Sequence, residues 1–259
     1  MNDKERIIEI FNDCGIKDAS FCSFLPLSTM LIECAAKRRI PQNAKTVIMC
    51  FLPYKVKKEP PKNISRYAAV PDYHNIFGAR LKAATEKLRE YYVNQNFESF
   101  IDNSPIPEVY AAALAGLGVI GDNGLLITKK YGSFVFLGEV ITDMEIDCQG
   151  EASECLHCGQ CKSNCPKCDG LECLSKITQK KKELTNAEKS AILDNHTIWG
   201  CDLCAEICPM NAGAETTYVE EFISGYRDEY VFGEDIKGRA FEWRGEDVIK
   251  RNASLEKSP

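Results

Sequence analysis

Seven cysteines in two short runs constrain this chain more than any other feature. The first run, CLHCGQCKSNCP, supplies Cys155, Cys158, Cys161 and Cys165. The second run, CDLCAEICP, supplies Cys201, Cys204 and Cys208. A C-x2-C-x2-C-x3-C-P spacing is the pattern that ligates cubane 4Fe–4S clusters in bacterial proteins. Two such runs predict two clusters close together, and therefore a protein that moves electrons one at a time.

The proline-flanked cysteines divide the ligands between the clusters, because the cysteine before proline ligates the other cluster in two-cluster ferredoxins. The first cluster is predicted to take Cys155, Cys158, Cys161 and Cys208. The second is predicted to take Cys201, Cys204 and Cys165, and it lacks a fourth ligand. The candidates for that fourth ligand are Cys173 and Cys168.

Zinc is the main alternative to the clusters, because paired C-x2-C motifs also bind zinc. A zinc site needs four ligands and no C-x3-C-P tail, so the cluster interpretation is favoured. A disulfide framework is disfavoured further, because the N-terminal sequence MNDKERIIEIF is charged and helix-like rather than a signal peptide. Cys50, in the apolar run VIMCFL, is predicted to be a buried core thiol.

Composition excludes several classes of protein. The chain has 259 residues, which is enough for one sizeable domain and a smaller one. No stretch approaches the roughly 18 apolar residues that a transmembrane helix needs, so we expect a cytoplasmic protein without a membrane partner. The net charge of −6 argues against a strongly basic nucleic-acid footprint over the whole chain.

Three segments are expected along the chain. Residues 1–147 form an α/β or α+β domain, residues 148–212 a cluster module, and residues 213–259 a C-terminal extension. Helical patterns occur at residues 4–11, 27–38, 72–95, 107–118, about 185–195, 215–224 and 246–251. Apolar or β-branched runs predict strands at residues 46–52, 97–102, 125–128 and 133–142.

The large first domain must have a function of its own, because electron transfer needs only the cluster module. Its sequence carries neither a GxGxxG turn nor a Walker loop, so it predicts no dinucleotide site of the usual kind. Its glycine-rich stretch, GLGVIGDNG at residues 116–124, follows a helical pattern rather than a strand. Such a stretch is either a helix C-cap followed by a turn, or backbone that approaches a flat ligand closely.

Several segments resemble the epoxyqueuosine reductase family in sequence, order and spacing. They are SRYAAVPDYH (65–74), IDNSPIPEVYAAALAGLGVIGDNGLLIT (101–128), GSFVFLGEVIT (132–142), the first cysteine run, CLSKIT (173–178) and WGCDLCAEICPMN (199–211). The resemblance covers roughly residues 45–212. That family uses cobalamin and two 4Fe–4S clusters to reduce epoxyqueuosine in tRNA to queuosine, and is related to the corrinoid reductive dehalogenases.

The resemblance implies an α+β fold, with a nitroreductase-like α/β core that binds cobalamin and a ferredoxin-like two-cluster module. It favours Cys173 as the eighth cluster ligand, because CLSKIT is similar to the family's cysteine-serine-threonine segment. It also implies cofactor contacts from Tyr73, Gly116, Gly118, Gly121 and Asn123. The implied partners are an electron donor such as ferredoxin, flavodoxin or a similar reductase, and a tRNA anticodon loop. The chain itself is expected to be a monomer.

The implied reaction needs a proton donor, because removing an epoxide oxygen to leave an alkene takes two electrons and two protons. A general acid works best with a pKa near neutrality. We predict Glu108 first and Asp102 second, on either side of the SPIP turn, and His74 third. Each has a structural alternative: a helix N-terminal acid for Glu108, a turn acid for Asp102, and a structural histidine for His74.

The chain departs from the family pattern in two places. It reads Gly121-Asp122-Asn123 where the family usually reads GKN. Full-length relatives also continue into a C-terminal helical-repeat domain thought to grip tRNA, so we expect a short form without it. Two other hypotheses remain: a non-catalytic 4Fe–4S electron-transfer protein, and a reductive dehalogenase-like corrinoid enzyme acting on a small organic substrate.

Overall fold

The computed structural model describes residues 1–148, 150, 154–166 and 171–255, and they form a mixture of helices and strands. The chain divides into two compact units. Unit 1 comprises Met1–Pro53 and His74–His157, and unit 2 comprises Tyr54–Tyr73 and Cys158–Pro259. The three-segment division at residues 147 and 212 stays a prediction.

An antiparallel sheet lies at the centre of unit 1. Its strands are β1 (Asp18–Ser23), β2 (Thr46–Pro53), β3 (Phe97–Phe100) and β6 (Val135–Thr142), in the order β1-β2-β6-β3. A short hairpin adds β4 (Val119–Ile120) and β5 (Leu126–Ile127). Every residue of β2 is buried, which explains why its apolar run does not alternate with polar residues.

Helices cover both faces of this sheet. Unit 1 contains α1 (Asp3–Asp13), most of α3 (Tyr73–Tyr91) and α4 (Glu108–Leu114). Against α3, a Cβ added to Gly138 of β6 would lie 3.1 Å from the Phe77 ring. Against α4, the core contains Met49 and Ile141 of the sheet. Successive side chains of a strand point to opposite faces, so the residue after Gly138 points toward α4.

Most predicted elements of unit 1 are confirmed with shorter bounds, but the helix predicted over residues 27–38 is wrong. The structure has two short 3-10 helices instead, Leu25–Leu27 and Ala35–Arg39. Between them the Ile32 N–H donates to the Pro105 carbonyl at 2.8 Å, so the backbone bonds to a distant segment rather than to its own helix. The strands β1 and β4 were not predicted.

Unit 2 consists of short helices packed around aromatic side chains. The helices are α2 (Arg66–Ala69), α5 (Gln160–Ser163), α6 (Leu174–Thr178), α7 (Asn186–Asp194), α8 (Leu203–Glu206), α9 (Glu220–Ser224) and α10 (Glu246–Leu255). The fully buried Trp199 packs edge-on against Phe241, with ring centroids 5.7 Å apart. The helices predicted near residues 185–195, 215–224 and 246–251 are confirmed as α7, α9 and α10, with α9 shorter.

Among the residues that the structure describes, no helix has the length and apolar content needed to cross a membrane.

Candidate functional site

A buried and a half-buried glutamate lie together between the sheet and α4 of unit 1. Glu139 stands in β6 with no solvent exposure, and Glu108 is the first residue of α4. Their carboxyl groups are within hydrogen-bonding reach of each other. Ser104 fixes the pair, because its Oγ donates to Glu139 Oε1 at 2.5 Å and accepts from the Ile106 N–H at 3.1 Å.

Loss of solvation disfavours the ionised form of both glutamates. Loss of solvation raises the pKa of Glu139 well above its ordinary value, and the nearby Glu108 raises it further. Burial also raises the pKa of Glu108 from 4.5 to about 7, although the hydrogen bond from Glu139 lowers it. Since a hydrogen bond between two carboxyls needs one proton, the pair as a whole retains at least one proton near neutral pH.

Two buried oxygens of this pair need that proton. In the described part of the chain, Glu108 Oε1 and Glu139 Oε2 receive no hydrogen bond from any donor. Buried polar atoms are almost always hydrogen-bonded, and leaving one without a partner costs about 1–3 kcal/mol. A proton shared between the two carboxyl groups satisfies both oxygens.

The other two predicted catalytic residues, Asp102 and His74, lie close to Glu108. Asp102 follows β3 in the left-handed conformation, with φ of +59°, which an aspartate tolerates better than most residues. Its Oδ2 lies 3.5 Å from Nε2 of His74 in α3. Both side chains are exposed, and both act electrostatically on Glu108. The geometry brings Glu108, Asp102 and His74 together, while their catalytic roles stay predictions.

Sequence reasoning missed Glu139 and Ser104. The signal for Glu139 was an acidic residue inside the otherwise apolar strand VFLGEVIT, because a buried charged residue is rare unless it is paired. No comparable signal marked Ser104, since its role depends on the turn that places it under β6.

The glycines of the first unit have structural roles. Gly116 has φ of +76° and its N–H donates to the Ala113 carbonyl, which ends α4. A Cβ on Gly118 would lie 2.5 Å from the Ile127 carbonyl oxygen, so β4 approaches β5 closely there. The Gly121 N–H donates to the Leu125 carbonyl in the hairpin turn. Their predicted contacts with a cofactor remain predictions.

The hairpin of unit 1 presents side chains to solvent. Ile120 and Leu125 flank the turn and are 40% and 37% exposed. Asn123 stabilises the turn, because its Oδ1 accepts from the Leu125 N–H at 3.2 Å. Gly124 has φ of +80° and nothing lies within 4 Å of the Cβ position. The hairpin thus exposes two apolar side chains beside a turn that also carries the polar Asp122 and Asn123. Tyr73, also a predicted cofactor contact, is the first residue of α3.

Free thiols converge in unit 2. All cysteines in the described ranges lack a disulfide. Cys161 lies in α5 and Cys204 in α8, and these two helices pack together. Burial is the main cause that raises the pKa of Cys201 to about 12, and the nearby Cys204 and Cys173 contribute. The donor set is therefore one that a thiolate-binding metal cluster fits.

The other predicted ligands lie at defined positions. Cys173 is the N-cap of α6, and Cys208 precedes the 3-10 helix Pro209–Asn211. Cys158 and Cys165 lie just before and after α5. Cys155 belongs to unit 1. Cys168, the alternative to Cys173, lies outside the described residues.

Contacts from the buried Arg66 hold the second cysteine run in unit 2. The Arg66 N–H donates to Asp202 Oδ2 at 2.6 Å, and Arg66 Nε donates to Glu206. Burial raises the pKa of Asp202 to about 6 despite the hydrogen bond from Arg66. Next to it, Gly200 has φ of +74°, and a Cβ there would lie 2.0 Å from Ser65 Oγ. Residues 65–66 and 200–202 are thus closely fitted to each other.

Among the described residues, a group of side chains whose ligand atoms are close enough to hold a metal ion lies in unit 1. One ligand atom each of Asp122, Cys155 and His157 lies within 4.8 Å of the others. His157 Nδ1 is 2.9 Å from Asp122 Oδ1. Asp122 stands where the resembling family usually has lysine, so the aspartate gives this chain a contact with His157 that a lysine would not make.

Comparisons with known proteins agree with this organisation. The family model described as "Epoxyqueuosine reductase QueG, DUF1730" matches residues 35–103. An epoxyqueuosine reductase of Leadbetterella byssophila is 31% identical over 242 residues, covering 85% of this chain and 80% of that protein. The solved epoxyqueuosine reductase of Streptococcus thermophilus has a TM-score of 0.80 at 25% identity, covering 99% of this chain and 81% of that one.

A further solved structure has the same fold. It is an epoxyqueuosine reductase with an epoxyqueuosine-modified tRNA-Tyr stem loop, and it has a TM-score of 0.83 at 21% identity, covering 98% of this chain and 80% of that one. Together the likenesses define an oxidoreductase whose relatives imply iron–sulfur and cobalamin chemistry. The chain belongs to the epoxyqueuosine reductase family.

Proposed function

We propose that this chain is an iron–sulfur, cobalamin-dependent reductase that converts epoxyqueuosine in tRNA to queuosine. The observation that carries the proposal is the position of Glu108, a carboxyl with a pKa of about 7 that lies beside Asp102 and His74. A general acid for this reaction needs such a pKa. A solved relative bound to an epoxyqueuosine-modified tRNA stem loop supports the substrate.

The proposal includes two 4Fe–4S clusters, with seven ligands taken from the cysteine spacing and Cys173 from the family resemblance. Cys155, Cys158, Cys161 and Cys208 hold the first cluster. Cys165, Cys173, Cys201 and Cys204 hold the second. The effect of Cys173 and Cys204 on Cys201 supports the choice of Cys173, because it places the three thiols near one another.

Cobalamin, when bound, supplies a cobalt centre that delivers low-potential electrons to the substrate. Tyr73, Gly116, Gly118, Gly121 and Asn123 would hold it, in a nitroreductase-like core within residues 1–147. The exposed apolar side chains of the hairpin support this placement. Residues 148–212 would form the ferredoxin-like module and residues 213–259 an extension. A ferredoxin- or flavodoxin-type donor would supply electrons to a cytoplasmic monomer.

The reaction balances as one epoxide, two electrons and two protons giving one alkene and one water. Glu108 donates the first proton to the epoxide oxygen as its first C–O bond breaks. The second proton reaches the same oxygen as the second C–O bond breaks and water leaves. His74 and Asp102, both exposed at the edge of the pair, would orient the substrate oxygen and return protons from solvent.

Anaerobic cluster reconstitution followed by cobalamin titration tests the cofactors. About eight irons per chain fit two cubane clusters, and a change in the visible spectrum of cobalamin at stoichiometric protein would establish binding. The iron content should fall to about four irons per chain in Cys173→Ser. The matched variant Cys168→Ser should keep the full iron content. Full iron without a cobalamin response would leave a non-catalytic electron carrier. Uptake of zinc but no iron would contradict the proposal.

A further inference from the structure

An acidic residue in the middle of a buried strand needs a physical reason. In the sheet, Glu139 is paired with Met49 of β2 and Phe100 of β3. Both neighbours are apolar and buried, so Glu139 has lost its water without gaining a polar lining on the sheet. Burying an ionised carboxylate in such surroundings costs several kcal/mol unless it is paired. A neutral, protonated carboxyl avoids that cost.

Among the residues that the structure describes, the groups that act on Glu139 from the neighbouring elements do not include a cation. Glu108 faces it from α4 and Ser104 from the preceding turn. The thiols of Cys50 in β2 and Cys22 in β1 interact with it electrostatically. The Cys50 thiol donates to the Gly138 carbonyl at 3.3 Å, so it is already engaged. Asp102 and His74 act on Glu108 from the exposed side.

We propose that Glu139, positioned by the Ser104 hydroxyl, is a proton-holding partner that reloads Glu108 between the two proton transfers of each turnover. The geometry consists of a carboxyl–carboxyl contact, two otherwise unpartnered buried oxygens, and a serine that fixes one of the carboxyls. The role in turnover rests on the proposed function, whereas the proton held by Glu139 can be measured without any substrate.

The second glutamate, Glu139, supplies the proton that Glu108 needs for its second transfer. Glu108 gives its proton to the epoxide oxygen and becomes a carboxylate. Glu139 passes its own proton across the contact, so that Glu108 can protonate the same oxygen again when water leaves. Two ionised carboxylates in contact repel each other strongly, so the pair then takes up two protons from solvent through the exposed His74 and Asp102 side.

Infrared spectroscopy of the cluster-loaded chain tests proton holding directly. At pH 8 the wild-type protein should show the C=O stretch of a protonated carboxyl, and Glu139→Gln should remove most of it, leaving only the small part from Glu108, whose pKa is about 7. The choice of pH 8 excludes Asp202, whose pKa is about 6. Glu108→Gln should keep the band, and Ser104→Ala should shift its frequency without removing it, because only a hydrogen bond is lost. A band that persists undiminished in Glu139→Gln would overturn the proposal.

Kinetics of the same variants tests reloading. Glu139→Gln should lower kcat by about tenfold or more with KM unchanged, because general-acid groups contribute roughly 10²–10⁴. Glu139→Asp should recover part of kcat, since it restores a titratable proton. An unchanged kcat in Glu139→Gln would overturn the reloading role. A wild-type chain with the band but no conversion would contradict the proposed function and would leave Glu139 supported as the proton holder.

Discussion

Each of the two units contains an acidic side chain shielded from solvent, and the groups around the two acids differ. In unit 1, Glu139 faces a second acid, Glu108. In unit 2, Asp202 accepts a hydrogen bond from the Arg66 backbone, and the Arg66 side chain pairs with Glu206. The first arrangement keeps a proton near neutral pH, whereas Asp202, with a pKa raised only to about 6, is mostly ionised there.

This difference separates the tasks of the two units. A carboxyl that keeps its proton near neutral pH is equipped to give it away, which suits the catalytic part of a reductase. Asp202, which accepts a hydrogen bond from the Arg66 backbone N–H, is a fixed structural element. It anchors the segment between Cys201 and Cys204, which are predicted cluster ligands. The predictions that follow would break or sharpen this contrast.

The largest expected effect comes from breaking the ion pair of unit 2. Arg66→Met removes the hydrogen bond from the Arg66 side chain to the partly exposed Glu206 and a cation that acts on Asp202, so it should lower the free energy of unfolding by about 3 kcal/mol. Urea unfolding followed by circular dichroism under anaerobic conditions measures this. The control Lys62→Met removes exposed pairs with Asp228 and Glu229, and its urea midpoint should stay unchanged. Equal effects of both variants would contradict the structural role of Arg66.

The acid pair of unit 1 should make stability depend on pH. Because the folded-state pKa of Glu108 is raised from 4.5 to about 7, the folded chain binds more protons than the unfolded chain in that window. Stability is therefore fully present below pH 4.5 and lost as pH rises through 7, by about 3 kcal/mol. Glu108→Gln should remove the part of this loss that belongs to Glu108 in urea titrations at pH 5 and pH 8, whereas the part that belongs to Glu139, whose pKa is also raised, should remain. Parallel profiles for both proteins would refute the shifted pKa.

A smaller loss of stability is expected at the close contact between Gly200 and Ser65. Gly200→Ala puts a Cβ about 2.0 Å from Ser65 Oγ at a positive φ, and should destabilise by about 1–3 kcal/mol. Adding Ser65→Gly should relieve the collision but not the backbone strain, so the double variant should recover only part of the loss. Additive losses in thermal unfolding would show that the two residues do not interact.

The smallest effect belongs to the exposed pair of unit 1. Asp122→Asn removes the contact with His157, and exposed ion pairs contribute only about 0–1 kcal/mol. We expect an unchanged thermal midpoint at high salt and a full iron content, because Cys155 is retained. Loss of iron in this variant would show that Asp122 positions the first cysteine run.

The sequence predicted the two units unequally. Seven of the eight predicted cluster ligands could be proposed from spacing, because cluster ligation repeats a fixed local pattern, whereas Cys173 was preferred over Cys168 only through the family resemblance. In unit 1, β2 and α4 could be predicted from local composition, and Glu108 from its place before the alanine-rich helix. Glu139 could not be assigned a role, since its partner is 31 positions away in the sequence and only the folded sheet brings them together.

The failed helix over residues 27–38 has a similar cause. Its periodicity was helical, but the Ile32 N–H bonds to the Pro105 carbonyl. A tertiary hydrogen bond of this kind leaves no trace in local periodicity. β1 was missed for a related reason, because DASFCS shows weak alternation and becomes a strand only by pairing with β2.

The most direct test of the account is mass spectrometry of a tRNA stem loop after incubation with the reconstituted chain, cobalamin and a low-potential reductant. The account predicts that epoxyqueuosine loses one oxygen atom and becomes queuosine, only when both iron and cobalamin are present, and more slowly in Glu108→Gln. A chain that carries full iron and cobalamin yet leaves epoxyqueuosine unchanged would contradict it.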